Sequence, residues 1–133
     1  MVHLSSVYEM YQKQIMEHFR SPKNKGKLPK AQIVHTDSNP LCSDEIEFSV
    51  RLEKGRAAEA KFDGKGCAIA VSAASMLTER VNHLTTEEMK ALTKDDAVKM
   101  VGVPLTPVRM KCATLALDVL QKGLKKYEDT GTK

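Results

Sequence analysis

Cys42, Cys67 and Cys112 each stand where glycine, proline or turn residues interrupt the apolar pattern, and Asp44 lies two residues beyond the first of them. The segments read Asn39-Pro40-Leu41-Cys42-Ser43-Asp44, Asp63-Gly64-Lys65-Gly66-Cys67-Ala68-Ile69-Ala70 and Leu105-Thr106-Pro107-Val108-Arg109-Met110-Lys111-Cys112-Ala113. A structural cysteine is usually an inert small hydrophobe inside a core run. These three sit at element boundaries, where turns can aim side chains at one point. Three soft thiolates and one hard carboxylate make four ligands, enough for a tetrahedral zinc ion or a [2Fe-2S] cluster. Either group leaves such a ligand set with excess negative charge, which Lys65, Arg109 and Lys111 beside the ligands are placed to offset. The same cations would attract a persulfide anion or an acidic partner surface; the plainer reading is that each is a solvated side chain.

Asp44 is the most telling member of the set. Carboxylate oxygen suits iron less well than thiolate does, so a mixed site is easier to dismantle than an all-cysteine one. That favours delivery of a cluster over its permanent retention. An aspartate near a turn more often caps backbone amides, and the ligand reading gains weight from the other two cysteines. Cys67 and Cys112 are predicted at helix N-termini, where unpaired amides and the helix dipole favour the thiolate, the form that binds metal or attacks persulfide sulfur. Gly64 and Gly66 let the backbone bend and bring its amides near sulfur. His3, His18, His35 and His83 read as surface or satisfied residues, and none adjoins Cys112.

The elements that must position these residues follow from periodicity. A helix is predicted over Ser6 to Arg20, with Val7, Met10 or Tyr11, Gln14 and Ile15, and His18 and Phe19 recurring at helical spacing; Pro22 and Gly26 stop it. Ala31 to Thr36 suits a first strand. Beyond Asp44, Ile46, Phe48, Val50 and Leu52 alternate with charged or polar residues, as in a half-buried antiparallel strand. Lys54-Gly55 turns the chain, and Ala58, Ala60 and Phe62 alternate on the return, making a hairpin. That hairpin brings the start of one strand, with Cys42 and Asp44, beside the end of its neighbour, which Cys67 follows. A small-residue helix is predicted from Cys67 to about Asn82. Thr85-Thr86-Glu87-Glu88 fits a capping box opening a short helix to Leu92, and another covers Asp95 to Val101. Pro104 and Pro107 predict an extended loop, then a last helix from Cys112 to Tyr127 with Leu115, Ala116, Val119, Leu120 and Leu124 on one stripe. The fold class is α+β.

With 133 residues and 41% hydrophobic content, one domain spanning 1–133 is expected, long enough to bury a continuous core. The net charge of +4 is modest and no basic run is interleaved with aromatics, which argues against nucleic acid. No apolar stretch approaches the roughly 20 residues that span a bilayer, and no secretory or arginine-rich leader pattern opens the chain. An odd cysteine count argues against a pure disulfide framework. Together these predict a cytoplasmic protein, where thiols stay reduced.

The three cysteine segments together resemble the iron-sulfur scaffold family typified by IscU, SufU and the N-terminal part of NifU. The family's Asn-Pro-x-Cys-Gly-Asp loop is matched by 39–44, its Gly-x-Gly-Cys-x-Ile segment by 64–69, and its last cysteine motif by 109–115; the likeness runs from about Tyr8 to Leu124. It implies a sandwich in which a small three-stranded antiparallel sheet is packed by helices, as in SufE and IscU. It also implies a scaffold that takes sulfur from a cysteine desulfurase, assembles a transient [2Fe-2S] cluster and passes it to apo iron-sulfur proteins or carrier proteins. Cys42, Cys67 and Cys112 carry over as ligands, and Asp44 as the residue that ligates or promotes assembly and release. Cys112, in its predicted loop, is the candidate persulfide acceptor.

Three departures qualify the likeness. Ser43 replaces the usual glycine, so the first loop must accept a Cβ. Lys111 stands where IscU-type members carry histidine, which, like Arg109, resembles the SufU type; the Cys67–Cys112 spacing nonetheless lacks the insertion typical of SufU. Leu105-Thr106-Pro107-Val108-Arg109 only loosely matches the IscU chaperone-recognition segment, which argues against a dedicated Hsp70-type chaperone. The first expectation is therefore a scaffold without conventional turnover. The alternative is a zinc-dependent sulfurtransferase accepting persulfide sulfur at the same site, and a structural zinc domain stands third. A homo-oligomer sharing its cluster is compatible with all of this.

Overall fold

The structure, a computed structural model, describes residues 4–40 and 43–130. Among the described residues eight elements follow in order: α1 (Leu4–Arg20), β1 (Ile33–Asn39), β2 (Asp44–Glu53), β3 (Arg56–Lys65), α2 (Ala68–Arg80), α3 (Thr86–Ala91), α4 (Lys94–Val101) and α5 (Pro107–Asp129). The strands form one antiparallel sheet in the order β1-β2-β3. The expected α+β architecture is therefore present, three strands packed by helices. Among the described residues, no helix is long and apolar enough to cross a membrane.

The alternation in β2 places Ile46, Phe48, Val50 and Leu52 in the core, where they meet Phe62 from β3, Ala74 and Leu77 from α2, and Leu117, Leu120 and Leu124 from α5. On β3 the predicted phase is corrected at one end. Ala57, not Ala58, is buried, because the pairing shifts between Arg51 opposite Glu59 and Leu52 opposite Ala57. Ala58 is the extra residue of a bulge, which re-aims its side chain without breaking the hairpin.

Helix α2 is buried continuously from Ala70 to Thr78. Its alanines and serines let the sheet, α5 and α1 approach it closely, and two serines fasten α1. Ser72 Oγ donates to the Ile15 carbonyl at 2.7 Å, and Ser75 Oγ lies 2.6 Å from His18 Nδ1 while accepting the Lys23 N–H at 2.7 Å. Of the predicted α1 pattern, Ile15 is buried and Met10 exposed; the side chains of Val7 and Tyr11 lie outside the described residues.

Capping sets the helix starts. Thr85 and Glu88 form the expected reciprocal box on α3, and Thr93 and Asp96 form a second on α4. The predicted loop through Pro107 to Lys111 is corrected: Thr106 caps α5 with its hydroxyl and Pro107 occupies the first helical position. Proline lacks the N–H that a first-turn residue leaves unpaired anyway, so here it opens a helix.

Candidate metal centre

Asp44, Cys67 and Cys112 meet at one end of the sandwich, each from a different element. One carboxylate oxygen of Asp44 and the two sulfurs all lie within 4.8 Å of one another. The hairpin brings two of them together: β2 opens at Asp44, and β3 ends at Lys65, which pairs with Glu45. Cys67 follows as the N-cap of α2, its sulfur accepting the Ala70 N–H at 3.5 Å. Cys112 arrives from α5, whose buried stripe runs against the sheet and α2.

The predicted helix-start position is right for Cys67 and corrected for Cys112. Because α5 begins at Pro107, Cys112 lies in its second turn, beyond the unpaired amides of the first. Cys112 and Asp44 have no exposed surface, while Cys67 is half-buried. The ground for choosing Cys112 as a sulfur acceptor, a flexible loop, is thus absent, and Cys67 is the more accessible of these two sulfurs. Cys42, the remaining predicted ligand, lies outside the described residues. Lys65, Arg109 and Lys111 are exposed at the adjoining end of β3 and the start of α5.

Asp44 is held before any metal is considered. Its Oδ1 accepts the Cys67 N–H at 2.9 Å, and its Oδ2 lies 4.0 Å from Cys67 Sγ. Gly66 provides the space, since a Cβ there would stand 2.7 Å from Asp44 Oδ1. Gly64 has a backbone role: its φ is +120°, and a Cβ would approach the Glu45 carbonyl oxygen to 2.0 Å. Gly66 thus leaves room for a carboxylate, and Gly64 for the close approach of the paired strand's backbone. Asn39, the last residue of β1, was not singled out as a site residue by the sequence. It is buried, faces Asp44 across the ladder, and its amide donates to Cys112 Sγ at 3.9 Å. No local sequence pattern marked it, because its contact with Cys112 spans 73 residues of sequence.

The donor chemistry fits a thiophilic ion. With metal–sulfur bonds of about 2.3 Å and metal–oxygen bonds of about 2.0–2.2 Å, tetrahedral donors stand roughly 3.5–3.8 Å apart. Three donors already within 4.8 Å need only a small contraction to reach that spacing. Zinc, where bound, would be held by Asp44, Cys67 and Cys112, with a fourth corner for another ligand, and would keep its thiolates deprotonated.

The fold and site define a small α+β protein in which two cysteines and one aspartate cluster at the end of its sheet. Residues 10–133 match the family described as the NifU-like N-terminal domain, and the chain belongs to that family. It is 33% identical to the zinc-dependent sulfurtransferase SufU of Bacillus subtilis, over 90% of this chain and 92% of that one. It is 34% identical to the iron-sulfur cluster assembly scaffold protein IscU 1 of Archaeoglobus fulgidus, over 89% of this chain and 76% of that one. A NifU-like N-terminal structure from Brucella abortus shares the fold with a TM-score of 0.74 at 19% identity, covering 91% of this chain and 96% of its own.

Proposed function

We propose that this protein is an assembly scaffold for [2Fe-2S] clusters in the cytoplasm. It takes sulfur from a cysteine desulfurase, gathers it with iron on Cys42, Asp44, Cys67 and Cys112, and passes the cluster to apo-proteins or carriers. The cluster is cargo, not a resident cofactor. The observation that carries this reading is the convergence of Asp44, Cys67 and Cys112 from three elements on one point. Relatives named as scaffolds, matched over most of both chains, support it. One oxygen and few sulfurs make a holder that iron can leave, and half-buried Cys67 gives the pocket a side open to solvent.

Sulfur acceptance by Cys112 requires the pocket to open, because the residue is fully covered. Mapping persulfide by mass after a desulfurase reaction decides between Cys112 and Cys67. The whole reading is tested by anaerobic reconstitution with iron, cysteine and a desulfurase. A coloured cluster that transfers to an apo-ferredoxin is expected, with its yield abolished in Cys67→Ser and in Cys112→Ser. Undiminished yield in either variant removes that residue from the ligand set.

A second reading, a zinc-dependent sulfurtransferase, is favoured by the tightness of the same triad. Donors within 4.8 Å suit one ion more closely than two irons, and a relative of this kind matches nearly the whole chain. Colourless protein that retains stoichiometric zinc and stimulates desulfurase turnover would decide for it.

A further inference from the structure

The two sulfurs that converge on the centre also face each other. Cys67 Sγ and Cys112 Sγ lie within 4.8 Å, and neither is in a disulfide; the first is approached by the Ala70 N–H at 3.5 Å and by Asp44 Oδ2 at 4.0 Å, the second by the Asn39 amide at 3.9 Å. A disulfide needs about 2.05 Å between sulfurs, so the two side chains must turn toward each other for the bond to form. Their exposure differs in a useful way: Cys67 is half-buried and meets solvent oxidants first, whereas Cys112 waits behind it, covered. An accessible thiol backed by a second thiol is the arrangement of a reversible redox cysteine rather than one that over-oxidises.

We propose that, when the centre is free of metal, a peroxide converts Cys67 and Cys112 into an intramolecular disulfide that reversibly closes the site. The Cys67 sulfur attacks one peroxide oxygen; the S–O bond forms, the O–O bond breaks, and the departing hydroxide takes a proton to leave as water. The Cys112 sulfur then attacks the Cys67 sulfur. The S–S bond forms, the S–O bond breaks, and a second water leaves. Two thiols have lost two electrons and two protons, and one hydrogen peroxide has become two waters. A disulfide sulfur has given up the thiolate charge that binds metal, so two of the three convergent donors are withdrawn until a dithiol restores them. The inference depends on where the two sulfurs lie and not on what the centre assembles.

Chain statistics make the test discriminating. In an unfolded chain the shorter Cys42–Cys67 loop closes more readily than the longer Cys67–Cys112 loop, so dominance of the longer one reports native geometry. Trypsin separates the three cysteines onto different peptides, 31–51, 66–80 and 112–122. Full-length protein stripped of metal with a chelator is treated with hydrogen peroxide, its remaining thiols are alkylated, and the unreduced digest is read by mass spectrometry. The expected product is peptide 66–80 joined to 112–122, in large excess over any pair containing 31–51, lost on dithiothreitol treatment and formed equally in Cys42→Ser. A dominant link to 31–51 would overturn the proposal, as would sulfinic acid on Cys67 with Cys112 unmodified. Protein first loaded with zinc is expected to resist cross-linking. Equal cross-linking with zinc present would leave the disulfide standing and count instead against Cys67 and Cys112 as metal ligands.

Discussion

Asp44 and Cys67 are coupled through two different atoms of each residue: the Cys67 N–H donates to Asp44 Oδ1 at 2.9 Å, and Asp44 Oδ2 stands 4.0 Å from the Cys67 sulfur. One carboxylate oxygen therefore fixes the start of α2 while the other faces the centre. Asp44 is at once an anchor of the fold and a donor, and its two duties can be separated.

Asp44→Asn keeps a carbonyl oxygen for the Cys67 N–H and removes the charge; Asp44→Ala removes both. An N–H left without a partner costs about 1–3 kcal/mol when buried, and Cys67 is half-buried, so the alanine variant is expected to lose about 1 kcal/mol. Urea unfolding of metal-free protein should show the midpoint lowered in Asp44→Ala and close to the parent in Asp44→Asn. Zinc titration should show weaker binding in both. Parental zinc affinity in Asp44→Asn would mean the carboxylate charge contributes nothing to the centre.

Gly66→Ala tests the same carboxylate from the outside. The added methyl would lie 2.7 Å from Asp44 Oδ1 and 3.1 Å from its Cγ, and the side chain is the part able to move. Its displacement breaks the hydrogen bond to Cys67 and misplaces Oδ2, so a loss of about tenfold in zinc affinity is expected, about 1.4 kcal/mol, with far-ultraviolet circular dichroism unchanged. Gly64→Ala offers the contrast. There the obstacle is the Glu45 backbone oxygen at 2.0 Å, which cannot swing aside, and the expected result is loss of folding. If both variants bind zinc normally, the glycines are not making the room described.

How much of this was legible beforehand differs between elements for physical reasons. The β2 strand and its hairpin partner were readable because one buried face sets their side-chain period, and the small-residue helix α2, buried continuously from Ala70 to Thr78, was readable from its composition. The phase of Ala57 and Ala58 was not, since a bulge depends on pairing between strands rather than on either strand alone. The start of α5 was misplaced because Pro107 signals a loop unless the preceding Thr106 is recognised as its cap. The meeting of Asp44 and Cys67 was foreseeable from the hairpin, whereas that of Cys112 with them rested on the family resemblance of its motif. Asn39 could not be singled out, because its contact with Cys112 spans 73 residues of sequence.

Acid should destabilise the protein through groups remote from the centre. The backbone N–H of Thr85 holds the Glu88 carboxyl below its usual 4.5, and that of Thr93 holds Asp96 below 3.8. The Lys122 ammonium and then the Ser38 N–H do the same for Asp37. Carboxyls depressed in the folded state add stability that is complete above their ordinary values and lost as pH falls through the folded ones. His35, lowered from 6.5 chiefly by burial and next by Lys126, acts in the same direction from a higher pH, because the unfolded chain takes up its proton first. Urea midpoints measured downward from neutrality should fall below 6.5 and more steeply below 4.5. The Glu88→Gln, Asp96→Asn double variant should flatten the lower part of that slope. An unchanged slope would show that the two capping carboxyls are not linked to folding.

Ser43 carries a cost that a single substitution should remove. Its φ is +56°, left-handed backbone that a side chain disfavours, and it immediately precedes Asp44. An L-residue held there costs roughly 1–2 kcal/mol, whereas glycine adopts the region freely but gives up about 0.5–1 kcal/mol more chain entropy on folding. The balance favours Ser43→Gly by up to about 1 kcal/mol. Thermal or urea unfolding of metal-free protein should show a small upward shift, with zinc affinity equal or higher because Asp44 keeps its hydrogen bond to Cys67. A lower midpoint would mean that the serine side chain stabilises the turn by more than its backbone strain costs, and that this departure from glycine is itself part of how Asp44 is presented.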